Sequence, residues 1–219
     1  MDSEHSPYAD LKFLNDFSEI GKARNRLPHW HQDKTTCFIT FRLGDSVPAE
    51  LFAEWRTERD QWLLENPKPW SSEFEMEYHK RFSMRIDQWI DAGYGSRLLA
   101  DPSNSIMVSD TLERCDQSRY VLHCWVIMPN HVHVLMSPGE GESLSRIIAG
   151  WKRFSATRIH KANGTSGRLW QKDYFDRLIR DWDHFMNVAC YIRRNPEKAK
   201  LADGSFVLFE APWIKRLLS

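Results

Sequence analysis

The chain has 219 residues, 42% hydrophobic and 27% charged, with 30 basic and 30 acidic side chains that cancel to a formal net charge of zero. That length suits one folding unit with an elaboration and a sizeable core. The longest apolar run, Tyr120 to Met128, falls well short of the roughly 20 residues that cross a bilayer. MDSEHSPYAD has neither the basic nor the apolar region of a signal peptide, so a cytoplasmic protein with no membrane partner is expected. Cys37, Cys115, Cys124 and Cys190 lack C-x-x-C spacing, which suggests neither a zinc knuckle nor a disulfide framework.

A neutral total argues against nucleic-acid binding, which needs local positive charge. The distribution reverses that argument. Between Leu144 and Arg180 lie Arg146, Lys152, Arg153, Arg158, Lys161, Arg168, Lys172, Arg177 and Arg180, opposed only by Asp173 and Asp176.

In chain order, residues 1–34 read as an irregular arm. TCFITFRL alternates Cys37, Ile39, Phe41 and Leu43 against Thr36, Phe38, Thr40 and Arg42, the period of a strand. Helices follow after Pro48, from Ser72 to before Gly93, and from about Pro102 to Cys115, forming a long crossover. Tyr120–Met128 reads as a buried strand, and HVHVLM after Pro129-Asn130 as its hairpin partner. Ser143 is placed to cap a helix with the stripe Leu144, Ile147, Ile148, Trp151 and Ser155, ending at NGTSG. A short strand over 174–179 and a helix from about Asp183 to Arg194 complete the order β-α-β-β-α-β-α. That order is the split β-α-β, ferredoxin-like arrangement of an α+β protein: an antiparallel sheet with helices, enlarged by the crossover. The domain reading is an arm over 1–34, a main domain over 35–201 with a helical insertion at about 66–118, and a C-terminal tail over 202–219.

Three features carry chemistry. In His131-Val132-His133 the strand period presents both imidazoles on one face, half of a metal site. On the last helix Tyr191 and Asn195 stand four apart, so a phenol and an amide oxygen stack one turn above the other, apart from the stripe of Phe185, Val188, Ala189 and Ile192. In LWQKDYFDRLIRD aromatic residues interleave with basic ones, a pattern that lets rings stack on unpaired bases while cations follow the phosphates.

WVIMPNHVHVLMSP, the helix containing WKRFSA, LWQKDYFDRLIRD and YIRRNPEKAKL together resemble the REP-associated tyrosine transposases, relatives of the single-stranded-DNA insertion-sequence transposases. RNRLPHWHQDKTTCFITFRL and the stretch from Glu77 to Leu99 resemble one branch of that family. The resemblance implies His131, His133 and Asn195 as ligands of a divalent ion, Mg²⁺ or Mn²⁺ by donor type. It implies a tyrosine nucleophile, and Tyr191 is preferred to Tyr174 because it shares a helix flank with Asn195. Arg177 stands where relatives often carry His. The substrate implied is a single-stranded DNA hairpin with a flanking guide, cut and rejoined through a 5′-phosphotyrosine by a monomer or homodimer. Lys152, Arg153, Arg158, Lys172, Arg177, Arg180 and Trp170 are the expected DNA contacts. A non-catalytic single-strand-binding module, a domesticated regulator and a metal-dependent hydrolase are the competing readings.

Overall fold

The six residues of strand β3 (Cys37–Arg42) are all buried, because this strand is sandwiched between two layers of helix. The computed structural model of the chain describes residues 11–15, 21–24, 28–67 and 70–219, but not the side chains of 21–31, Ser72 and Glu75. Within the arm, Arg26 and the first ten residues lie outside the described residues. The arm is not wholly irregular, since β1 (Gly21–Arg24) and β2 (Pro28–His31) pair as an antiparallel hairpin.

The main sheet is antiparallel, with strand order β6-β3-β5-β4-β7. Its inner members are β4 (Tyr120–Ile127) and β5 (His131–Pro138), joined by the expected hairpin, and β6 (Phe175–Leu178) lies beyond β3. Without β7 this is the ferredoxin-like strand order. The tail expected after residue 201 instead supplies β7 (Val207–Glu210), which pairs with β4, and α7 (Pro212–Leu217). Partly buried Val207 and Phe209 pack against the core, a period too short for a confident reading from sequence.

Alternation divides the sheet into two faces. Cys37, Ile39 and Phe41, with Val132, Val134 and Met136, enter a large core beneath helices α4 (Pro102–Glu113) and α5 (Leu144–Asn163). Phe38, Val126 and Leu135 face the opposite way, toward α6 (Trp182–Lys198). His131 and His133 share the parity of Leu135, so they too lie on the α6 side.

Asp181 caps α6 by accepting from the His184 N–H, and the helix runs through Pro196 to Lys198 instead of ending near Arg194. Proline is tolerated there because α6 is anchored by Phe185, Val188, Ala189 and Ile192 in the sheet-facing core. Ser143 does occupy the position before α5, but its hydroxyl meets Ser145 Oγ at 3.0 Å and caps no backbone N–H.

The crossover is split differently from the expected insertion. Helix α1 (Ala49–Glu65), α2 (Ser72–Tyr78), a π-helical turn (His79–Ser83) and α3 (Met84–Asp91) enclose their own small core of Trp55, Trp62 and Phe82. Helix α4 belongs with α5 on the main sheet. The lobe is pinned back onto the sheet at Gly95, where φ is +88° and a Cβ would meet the Asp45 carbonyl oxygen at 2.6 Å. Only glycine fits that approach.

Candidate active site

The two imidazoles on β5 are oriented by polar partners in an otherwise apolar interior. Asn130 is 1% exposed, and its amide donates to Ile90 O at 3.0 Å and Tyr94 O at 3.1 Å. Those bonds fix the amide so that Oδ1 faces His131 Nδ1 at 2.8 Å and accepts its hydrogen. His131 therefore keeps its lone pair on Nε2. That atom lies 3.1 Å from His133 Nε2, while His133 Nδ1 is 2.7 Å from Thr40 Oγ1. Both rings are completely buried, and desolvation holds His131 down at about 3 and His133 well below the ordinary imidazole value. Neutral imidazoles are the form that binds metals.

Helix α6 brings the phenol to the same place. Tyr191 Oη is 3.4 Å from His133 Nε2, and its ring packs edge-on against His133 and Phe38. Burial raises the phenol well above its usual range; Asp87 and Asp91 raise it further, and the neighbouring Asn195 amide favours the ionised form. Lys198 Nζ stands 5.7 Å over the Tyr191 ring and pairs with Asp91 at 2.9 Å, which ties α6 to α3. Asn195 is 1% exposed, and neither amide atom completes a hydrogen bond.

A buried amide without a well-formed hydrogen bond, one helical turn from the Tyr191 that meets His133, is compatible with a cation site. Among the described residues no three His, Cys, Asp or Glu side chains converge as a metal cluster; Asn195 offers an amide oxygen on the same side of the sheet. The donor set fits a divalent ion.

Tyr174, the alternative nucleophile, is buried at 8% exposure on the other side of β6, with Lys152 over its ring at 5.3 Å. The expected DNA contacts divide. Trp170 is a core residue, 4% exposed, packed edge-on to Phe41 and donating to Ser155 Oγ at 3.0 Å, so it offers no face to a base. Lys152 is turned inward to the carbonyls of Gln171, Lys172 and Asp173 and is lowered to about 8 by burial. It closes a loop and is not a free cation. Arg158 pairs with Asp110 at 2.8 Å on an exposed surface. Arg153 and Lys172 are exposed, Arg180 is exposed, and Arg177 is half-buried near His79 and His184.

Sequence reasoning missed the polar residues that stand beside the histidines on β3. Thr40 and Arg42 are polar positions on the α6 face of β3, and the period-2 pattern in CFITFRL was the signal that could have found them. Asp87 and Asp91 carried no signal, because only the tertiary fold brings α3 to α6.

Residues 101–195 match the sequence model of the family described as IS200-like transposases. An uncharacterised protein of Haemophilus influenzae is 22% identical over 129 residues, covering 41% of this chain and 70% of the relative. Among solved structures, a REP-associated tyrosine transposase bound to a REP hairpin is 18% identical, with 82% of this chain and 76% of that one covered and a TM-score of 0.42. A candidate transposase of Deinococcus radiodurans is 12% identical, with 88% and 100% covered and a TM-score of 0.35.

Proposed function

We propose, from the match of residues 101–195 to the IS200-like transposase model, that this protein is a single-strand DNA transferase with Tyr191 as nucleophile. The substrate is a hairpin with unpaired flanks, cut and rejoined without an external energy source. The observation that carries the reading is the convergence of the Tyr191 hydroxyl on the His131–His133 pair, with Oη 3.4 Å from His133 Nε2.

His131, His133 and Asn195 would hold a divalent ion, Mg²⁺ or Mn²⁺ by donor type, and when bound it supplies charge neutralisation at the scissile phosphate. The protein's own groups do the rest. Asn130 and Thr40 fix both rings, and Phe38 packs edge-on against the half-buried Tyr191 ring and holds it beside His133. Tyr191 Oη forms the bond to phosphorus as its proton leaves; the bond to the 3′ oxygen breaks, and that oxygen takes up a proton. The products are a 5′-phosphotyrosine and a free 3′-OH. Attack by another 3′-OH reverses each transfer, which joins new ends and restores the phenol. Burial and the nearby Asp87 and Asp91 disfavour the bare phenolate in the ion-free protein, so this reading pairs proton loss with attack.

The test is a denaturing gel of an end-labelled single-stranded hairpin incubated with Mn²⁺. A protein-linked band is expected from the parent and from Tyr174→Phe, and none from Tyr191→Phe, which still binds DNA. Cleaved product without a linked band would establish a hydrolase instead, and binding with neither product would establish a recognition module.

A further inference from the structure

Between the helical lobe and the sheet lies a cavity of about 710 Å³, solvent at its mouth included. It shares a wall with the active site. Thr40, which bonds His133, lines it, as does Arg42, which stands opposite His131 in the β3–β5 ladder. Asp87, one of the carboxylates acting on Tyr191, lines it from the lobe side.

The unusual occupant of the wall is Arg42. It is 8% exposed, yet among the described residues its guanidinium makes one hydrogen bond, to Ser46 Oγ at 2.9 Å, and no ion pair. Phe52 covers it at 4.7 Å, and Phe52 and Trp55 stack at 5.5 Å to form an aromatic bank beside it. A guanidinium has five donors, and leaving most of them unused inside a protein costs free energy unless a ligand takes them up. Asp173 and Asp87 add acceptors to the same wall.

We propose that this cavity receives one unpaired guanine from the strand next to the scissile phosphate. This rests on the single-strand transferase reading above. A cavity lined with donors and acceptors suits an extruded base, which is read by its edges. Guanine presents the O6 and N7 acceptors that an arginine takes in bidentate fashion, and its N1–H and amino hydrogens suit the carboxylates. Adenine would turn its N6 amino group toward the guanidinium, and the pyrimidines lack N7. The lobe, which has its own aromatic core, thereby gains a task beyond packing: it holds the base that registers the strand on Tyr191.

The probes are fluorescein-labelled hexanucleotides, d(TTTTTT) and the three versions with one central thymine replaced by guanine, adenine or cytosine. Binding to the full chain is followed by anisotropy without divalent metal. The guanine probe should bind on the order of tenfold more tightly than the others. Arg42→Lys, which keeps the charge but loses the planar fork, should erase the preference, so that the guanine probe binds no more tightly than the other three. Phe52→Ala should weaken the guanine probe by a similar factor. Equal affinity for the four probes, a preference for another base, or a guanine preference that survives Arg42→Lys would each overturn the assignment. No cleavage is read, so failure here leaves the tyrosine adduct assay standing, and failure of that assay leaves base preference measurable.

Discussion

Removing the Thr40 hydroxyl tests whether the imidazole pair is held for a cation. Thr40→Val preserves shape in a buried, β-branched strand position and deletes the 2.7 Å contact to His133 Nδ1. Partners of this kind that orient a ligating histidine typically change metal affinity 10- to 100-fold. That corresponds to about 1.4–2.7 kcal/mol. The metal-free fold should lose less than about 3 kcal/mol, since the cost is one unsatisfied ring nitrogen, offset by no longer burying a hydroxyl. Calorimetric titration with Mn²⁺ should therefore show the fall in affinity, with near-UV circular dichroism matching the parent. Thr40→Ser, which restores the hydroxyl, should recover binding. A Thr40→Val protein that binds Mn²⁺ within twofold of the parent would refute the orienting role and weaken the case for His133 as a ligand.

Three further outcomes follow from where charged groups sit. His123 is buried, and desolvation lowers it to about 3, so the unfolded chain takes up a proton first; its contribution is complete above pH 6.5 and is lost as pH falls from there toward 3. His123→Phe should flatten the acid limb of urea stability measured across that window, by at most on the order of 5 kcal/mol, and coincident limbs for parent and variant would contradict it. For hairpin DNA, Arg153→Ala and Lys172→Ala should each reduce the slope of log affinity against log salt by about 0.9. Lys152→Ala should instead cost about 1–3 kcal/mol of stability with the slope unchanged, because its ammonium serves three carbonyls.

How legible all this was depended on distance along the chain. The β4–β5 hairpin and the stripe on α5 are local periodicities, and each emerged where the spacing put it, whereas Asn195, expected apart from the buried stripe of α6, lies within it. The ferredoxin-like strand order followed from element order. Trp170 was misjudged because interleaving with cations describes neighbours in sequence, while its burial against Phe41 and Ser155 depends on β3 and α5. Lys152 was misjudged for a related reason: the carbonyls it serves lie 19 to 21 positions away. The partition of the crossover into a lobe and a sheet-packing helix had no marker, since α4 and the earlier helices differ in what they meet and not in period.

The same alternation that presents His131 and His133 also shows why such a site is tolerable. Each histidine is followed on β5 by a valine that is 0% exposed on the opposite face, and every such buried aliphatic side chain contributes about 1.5–3 kcal/mol. That core can carry an orphaned carboxamide costing about 1–3 kcal/mol on the α6 side. If Asn195 is retained for a cation, it is a stability defect in the metal-free protein. Asn195→Leu, close in volume, should then raise the metal-free melting temperature, because an apolar group replaces two unsatisfied polar atoms. The parent should gain about 2.7 kcal/mol at Mn²⁺ a hundredfold above its Kd, and the variant little or nothing. A variant less stable than the parent without metal, or equally stabilised by Mn²⁺, would mean that Asn195 is a structural residue and the ion has a different third ligand.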